Sequence, residues 1–204
     1  MFYLACTKFN NATYKENMAY RMKHNESVIY GPSYKIRDIY PIGSLIFVVE
    51  MNNETNKIMG IGLIKNSLVS DKRHKIYENG EYNRYIYRGT YWISRENLLT
   101  LDSEIVEIFD NILFKGKSHM KRTTGITILT EKLFTNWIYE LTLLKNKVKT
   151  DFLNYFIKYN KIDNDVYLEK EKDIKELEVE LELEVEVIEI VPKKRRKEEK
   201  IIKK

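Results

Sequence analysis

Four cations, Lys115, Lys117, Lys121 and Arg122, fall within eight residues of this chain, with His119 among them and Gly116 and Gly125 near the two ends. A polar loop of this kind can lay ammonium and guanidinium groups along a phosphate backbone, with amides and Ser or Thr hydroxyls adding donors. Gly116-Lys117-Ser118 lacks the upstream glycine that a nucleotide-hydrolase phosphate loop requires. A second stretch, from Tyr82 through Arg84, Arg88 and Trp92, interleaves aromatics with cations. Arg84 and Arg88 would meet phosphate there. Trp92 or a neighbouring tyrosine would stack a base, a contact worth about 1–3 kcal/mol.

Catalytic chemistry is poorly provided for. His24, His74 and His119 are far apart in sequence and have lysines, not carboxylates, around them. Asp71, Glu78 and Glu81 read as scattered surface charge, and no HExxH, nucleophile elbow or paired metal-ligand spacing occurs. Cys6 is the single cysteine, which excludes an internal disulfide and a cysteine-based zinc site. It reads as a small buried apolar residue. We therefore assign no catalytic residue, no metal and no cofactor, and the sequence leans away from an enzyme.

Charge is unevenly distributed. Residues 1–160 carry 23 Lys and Arg against 16 Asp and Glu, a net +7, whereas residues 161–204 carry 12 against 14, a net −2. A basic body favours polyanions, nucleic acid ahead of an anionic membrane. The N-terminal residues lack the basic start of a secretory signal, and no apolar run nears the roughly 18 residues of a membrane span. We expect a soluble intracellular protein with no membrane partner.

The elements that must position these residues are mixed. Phe2 to Cys6 reads as a buried strand, and Thr13 to His24 as a helix with Tyr14, Met18 and Met22 on one side, capped by Asn11 or Thr13. Ser44–Met51 and Lys57–Ile64 form a hairpin around the turn Asn52-Asn-Glu-Thr-Asn56. Gly60 and Gly62 share one face of its second strand, so something packs close there. Tyr82–Tyr87 is a further strand, Ser94 and Asp102 open short helices, and Ile126–Leu129 returns to the sheet. Glu131–Lys149 reads as one amphipathic helix bearing Leu133, Trp137, Leu141 and Leu144, with Phe152–Tyr159 as another. The division is a globular domain over 1–160 and a charged, flexible tail over 161–204. In that tail Glu alternates with Leu, Val or Ile from Glu176 to Val191, the period of a strand with one apolar face.

The N-terminal strand and helix, Gly43-Ser-Leu-Ile-Phe-Val-Val-Glu50, Lys57-Ile-Met-Gly-Ile-Gly-Leu-Ile64 and Tyr91-Trp-Ile-Ser-Arg-Glu-Asn-Leu98 together resemble the PUA-like superfamily, including its EVE, YTH and ASCH branches. The stretch from Phe114 to Thr127 is similar to uncharacterised giant-virus proteins. The resemblance covers about residues 1–100. It implies an α+β fold, a small curved sheet or barrel with flanking helices, that reads RNA or a modified base. EVE and YTH relatives hold a flipped base in an aromatic cage. Trp92 is the only tryptophan in the matched region, and Tyr30, Tyr34 or Tyr40 would stand in for a missing cage wall.

The leading expectation is a non-catalytic nucleic-acid-binding module, RNA ahead of DNA, using Arg84, Arg88, Trp92, Lys115, Lys117, His119, Lys121 and Arg122. The alternatives are a structural or interaction component of a virion or viral factory, and behind it an ASCH-like hydrolase, which needs Lys, Thr and Glu together in one pocket. Lys193, Lys194, Arg195, Arg196 and Lys197 follow Pro192 in the pattern of a monopartite nuclear localisation signal, so an import receptor is a further expected partner. Deleting these five residues from a fluorescent fusion should abolish nuclear accumulation, and an unchanged distribution would refute the signal.

Overall fold

A computed structural model describes residues 2–160, together with Val179. The basic cluster at 193–197 and nearly all of the alternating segment lie outside the described residues. Val179, inside that segment, is helical. The elements run β1 (Phe2–Phe9), α1 (Asn11–His24), β2 (Val28–Tyr30), β3 (Leu45–Asn52), β4 (Lys57–Lys65), β5 (Tyr87–Gly89), β6 (Tyr91–Ser94), α2 (Arg95–Leu101), α3 (Ser103–Ile112), β7 (Thr127–Ile128), α4 (Glu131–Phe134) and α5 (Leu141–Asn160). The fold is α+β. Five strands form one sheet in the order β6-β4-β3-β1-β7, and β2 pairs with β5 in a separate ribbon.

Every residue of β3 is buried, because β3 is central and both faces of the sheet are covered. Alternation sends Phe47, Val49 and Met51 to one side, where they join Leu4, Ile105, Phe109 and Phe152. Ile46 and Val48 go to the other side with Ala5, Ile64, Tyr30 and Tyr87. Glu50, two residues beyond Val48, follows the second direction. β1 runs parallel to β3, which the α1 crossover permits, and β3–β4 is the expected hairpin. Asn52 closes its turn by accepting from the amides of Glu54 and Thr55. The β2–β5 ribbon lies against β4. A Cβ at Gly62 would collide with the Tyr30 hydroxyl, and one at Gly89 with the Leu63 carbonyl.

Cys6 is fully buried in the main core, and burial pushes its thiol up to about 12. Ser94 and Asp102 cap α2 and α3 as the sequence indicates. Three expectations need correction. The cap of α1 is Asn10, whose side chain takes the Thr13 amide while Thr13 returns a bond to the Asn10 backbone. The stretch Tyr82–Tyr87 is strand only at its end, because Asn83 turns inward to bind the amides of Ile76 and Tyr77. The helix expected over 131–149 stops at Phe134. Leu133 and Phe134 are buried, Trp137 lies flat against Tyr139 at 6.4 Å, and helix resumes at Leu141 to run unbroken to Asn160.

α5 meets the start of α3 through charge. Asp102 accepts from the amides of Glu104 and Ile105 and pairs with Lys147. Asp151 stands beside it, and burial together with the Asp102 charge pushes its carboxyl up to about 6. A folded-state pKa above the unfolded value stabilises at low pH, and that stabilisation is lost as pH rises through about 6. Asp151→Asn should therefore raise stability at pH 8 by about 1 kcal/mol after allowance for solvent screening, seen as a higher Tm, and change it little at pH 4. An equal effect at both pH values in thermal melts would exclude this account.

Candidate nucleic-acid interface

The helix α1 buries polar residues. Asn17 and Arg21, at i and i+4, face the sheet, while Met22 is 81% exposed. Of the apolar face expected from Tyr14, Met18 and Met22, Tyr14 does pack against the core beside Phe9, but polar residues take the buried positions next to it, and Glu50 supplies the reason. Arg21 Nη2 lies 2.6 Å from Glu50 Oε1, both side chains almost wholly out of solvent. The Tyr30 hydroxyl donates to the same oxygen at 2.7 Å. The guanidinium sits over the rings of Tyr30 and Trp92, at 5.4 and 5.5 Å from their centroids. Burial works against the charged guanidinium, but the Glu50 carboxylate more than offsets it and the pKa of Arg21 is raised. Burial likewise holds the Tyr30 and Tyr77 hydroxyls protonated. Gly60 completes the arrangement, since its missing side chain admits the indole edge of Trp92.

Tyr30 also forms the inner wall of a cavity of about 430 Å³, within the size range of small-ligand pockets. Phe9, Tyr34, Tyr77 and Tyr82 line it too, with Asn10, Asn53, Thr124 and Gly125. Tyr77 is fixed from behind by Asn17, whose amide donates to the Tyr77 hydroxyl at 2.9 Å and to the Ile29 carbonyl at 2.8 Å. Tyr34 and Tyr82 stand exposed at the mouth. The floor is rigid and the entrance is open.

The expected site residues separate into three groups around this cavity. Lys121 and Arg122 lie just outside its lining: Asn53 of the lining donates to the Lys121 carbonyl, and Thr124 and Gly125, which follow, belong to the wall. His119 belongs to the same turn, its Nδ1 accepting from the Lys121 amide. Arg84 is also outside the lining, in the chain between Tyr82, which lines the cavity, and Tyr85, whose amide donates to the carbonyl of the lining residue Pro32. Lys115 and Lys117 lie elsewhere. Lys115 bonds Asn111 on α3, and Gly116 between them packs toward Trp137.

Arg88 and Trp92 form the third group and are committed to structure. Arg88 pairs with Glu26 at 3.3 Å and with Asp71 at 3.1 Å. Asp71 also binds the buried His74, whose other nitrogen meets the Tyr20 hydroxyl at 2.8 Å. The hydrogen bond from His74, with Arg88 adding to it, holds the Asp71 carboxyl down to about 2. Asp71 thus anchors a loop to α1, whereas its sequence neighbourhood suggested scattered surface charge. Trp92 does not line the aromatic cavity. Its ring is covered by Arg21 and borders a separate hollow with Met18, Met22 and Phe156.

Sequence reasoning missed Lys8, Phe9, Asn10 and Tyr77 at this site, whereas Tyr82 belongs to the aromatic-basic stretch it singled out. The signal for Lys8 and Asn10 was positional, since both lie where β1 hands over to α1. Lys8, Thr7, Thr13 and Glu81 do border one cavity, the set a hydrolase would need. Lys8 and Glu81 are exposed, however, and neither bonds a threonine among the described residues. Among those residues no cluster of His, Cys, Asp or Glu is placed to hold a metal, and no helix is long and apolar enough to cross a membrane. No protein-family model matches the chain, and neither a curated protein nor a solved structure matches it.

Glu50→Ala should destabilise the domain by about 3–5 kcal/mol, because it strands a buried guanidinium. Replacing both partners, Arg21→Met with Glu50→Leu, should cost clearly less in urea denaturation. A double variant as unstable as the single one would show that the pair is not the unit.

Proposed function

We propose that this chain is a nucleic-acid-binding module of the PUA-like kind, taking one unstacked base into the tyrosine-lined cavity while its basic rim holds the flanking phosphates. One coincidence carries the reading: an aromatic cavity of base-accepting size is lined by Lys8, and Arg84 and Arg122 each follow or precede a lining residue by two positions, all three being exposed cations with no ion pair among the described residues. Lys121 joins them, its ammonium held 2.7 Å from the Asn56 side chain. Stacking on tyrosine is tolerant of base identity, whereas the amides of Asn10 and Asn53 and the Thr124 hydroxyl give the cavity groups that can read a base edge. The β2–β5 ribbon packed on β4, beside an open five-stranded sheet, is compatible with the small curved sheet of this reading. Single-stranded RNA is the favoured ligand, since its bases are already free to splay out. Nuclear import through Lys193–Lys197 remains part of the proposal.

Fluorescence anisotropy with a labelled 20-nucleotide single-stranded RNA tests this reading. Arg84→Ala with Arg122→Ala should weaken binding and reduce the slope of log K against log salt by about 0.7 for each phosphate that is no longer neutralised. Tyr34→Ala or Tyr82→Ala should cost about 1–3 kcal/mol at every salt concentration and leave that slope unchanged. No binding of RNA or DNA at low salt would refute the proposal.

A further inference from the structure

The aromatic cavity does not end at its own mouth. From Tyr34 the chain continues into a loop that leaves Ile39 70% and Ile42 89% exposed, with Arg37 between Tyr34 and Ile39. Its last turn is tied down by Asn66, whose side chain donates to the carbonyls of Tyr40 and Pro41. Exposed Tyr34, Ile39 and Ile42 thus follow one another along the stretch of chain that leaves the cavity, with Arg37 laid over Tyr40 and Lys35 paired with Asp38 among them. Large apolar side chains left in water beside cations suit a partner that is both apolar and acidic.

The chain carries such a segment. Glu176 to Val191 contains seven Glu and no Lys or Arg, with Leu, Val or Ile at nearly every other position. Its charge is −7. Fifteen residues, 161–175, separate it from the end of α5. Fully extended they reach about 50 Å. That exceeds the dimensions of a 160-residue domain, whose radius of gyration is about 15 Å. A tether of this length gives an intramolecular partner an effective concentration on the order of millimolar.

We propose that the Glu176–Val191 segment is an internal competitor for the nucleic-acid site. Its carboxylates occupy the rim cations Lys8, Arg84 and Arg122, and its aliphatic side chains cover Tyr34, Ile39 and Ile42. Nucleic acid must displace it, so affinity is set by the difference between two polyanions competing for one surface. This inference rests on the nucleic-acid reading for its consequence, though the docking itself does not.

Three full-length proteins test it with the same 20-nucleotide RNA at 50 mM salt. In one, all seven Glu from 176 to 189 become Gln. In another, Leu177, Leu181, Leu183, Val185, Val187 and Ile190 become Ser, which leaves every charge in place. Both should bind RNA about tenfold more tightly than the parent, and the gap should shrink as salt rises. A gain confined to the Gln protein would reflect net charge alone and overturn the proposal, as would no gain in either. Zero-length carbodiimide crosslinking of the parent, followed by peptide mapping, reads the docking directly. Links from Glu176–Glu189 to Lys8 or Lys121 in the monomer support it, and links only to Lys193–Lys197 overturn it. If no variant binds RNA while the crosslinks form, the nucleic-acid reading fails and the docking stands.

Discussion

A buried carboxylate on a central strand has to be neutralised, and in this protein the need is met by a single guanidinium delivered from α1. Glu50 falls on the face of β3 that carries Ile46 and Val48, where water is excluded. Arg21 reaches it only if α1 lies across the sheet with Asn17 and Arg21 downward, so the pair fixes the rotation of the helix. An ion pair at such depth contributes little net stability, because desolvation of both charges offsets most of their attraction. Its effect is to make alternative packings expensive, each of which leaves one charge alone. Glu50 Oε2 and Arg21 Nε and Nη1 keep no partner among the described residues, so the arrangement has little spare compensation.

The pocket inherits its geometry from this pair. Tyr30 is oriented by donating to Glu50, and Tyr77 by accepting from Asn17, one helical turn before Arg21. Gly62 then has to lack a side chain, since the Tyr30 hydroxyl occupies that space. The same logic separates the cations of the body by role. Arg21, Arg88, Arg95 and Lys147 are held in ion pairs that join elements, as when Arg95 clasps Asp110 at 2.7 Å and the Ile58 carbonyl at 3.0 Å, tying α2 and α3 to β4. Among the described residues Lys8, Arg84 and Arg122 make no ion pair. A net charge of +7 says little about binding until that division is made.

What the sequence made legible follows from how local each signal is. The β3–β4 hairpin combined a β-branched run with an asparagine-rich turn, and Ser94 and Asp102 announced helices through capping chemistry that spans only three residues. The two glycines of β4 were readable as points of close approach, though not which ring each admits. Arg21 and Glu50 were not readable as partners, since 29 residues separate them and each looks solvent-exposed by type. The methionines of α1 suggested an apolar face for the same reason: periodicity counts hydrophobic residues and cannot see a buried charge demanding a polar one. Trp92 drew attention as the only tryptophan in its region, yet the aromatic wall is built from tyrosines contributed by three separate stretches. The break at Phe134 escaped because Leu133, Trp137 and Leu141 keep helical spacing while the backbone leaves the helix between them.

Tyrosine in place of tryptophan has a physical consequence for such a pocket. A buried tyrosine needs a hydrogen bond for its hydroxyl, and Tyr30 and Tyr77 find theirs inward, on the polar cluster beneath the floor. Both rings are consequently held in place by polar groups beneath the floor and are almost wholly buried. Among the described residues Tyr34 and Tyr82 find no such hydrogen bond, and Tyr82 makes an edge contact with Tyr77 at 6.0 Å. The cavity therefore divides between a buried floor held from beneath and an exposed mouth. The mouth is also where the cations and exposed isoleucines begin, so events at the surface act on the exposed half of the site.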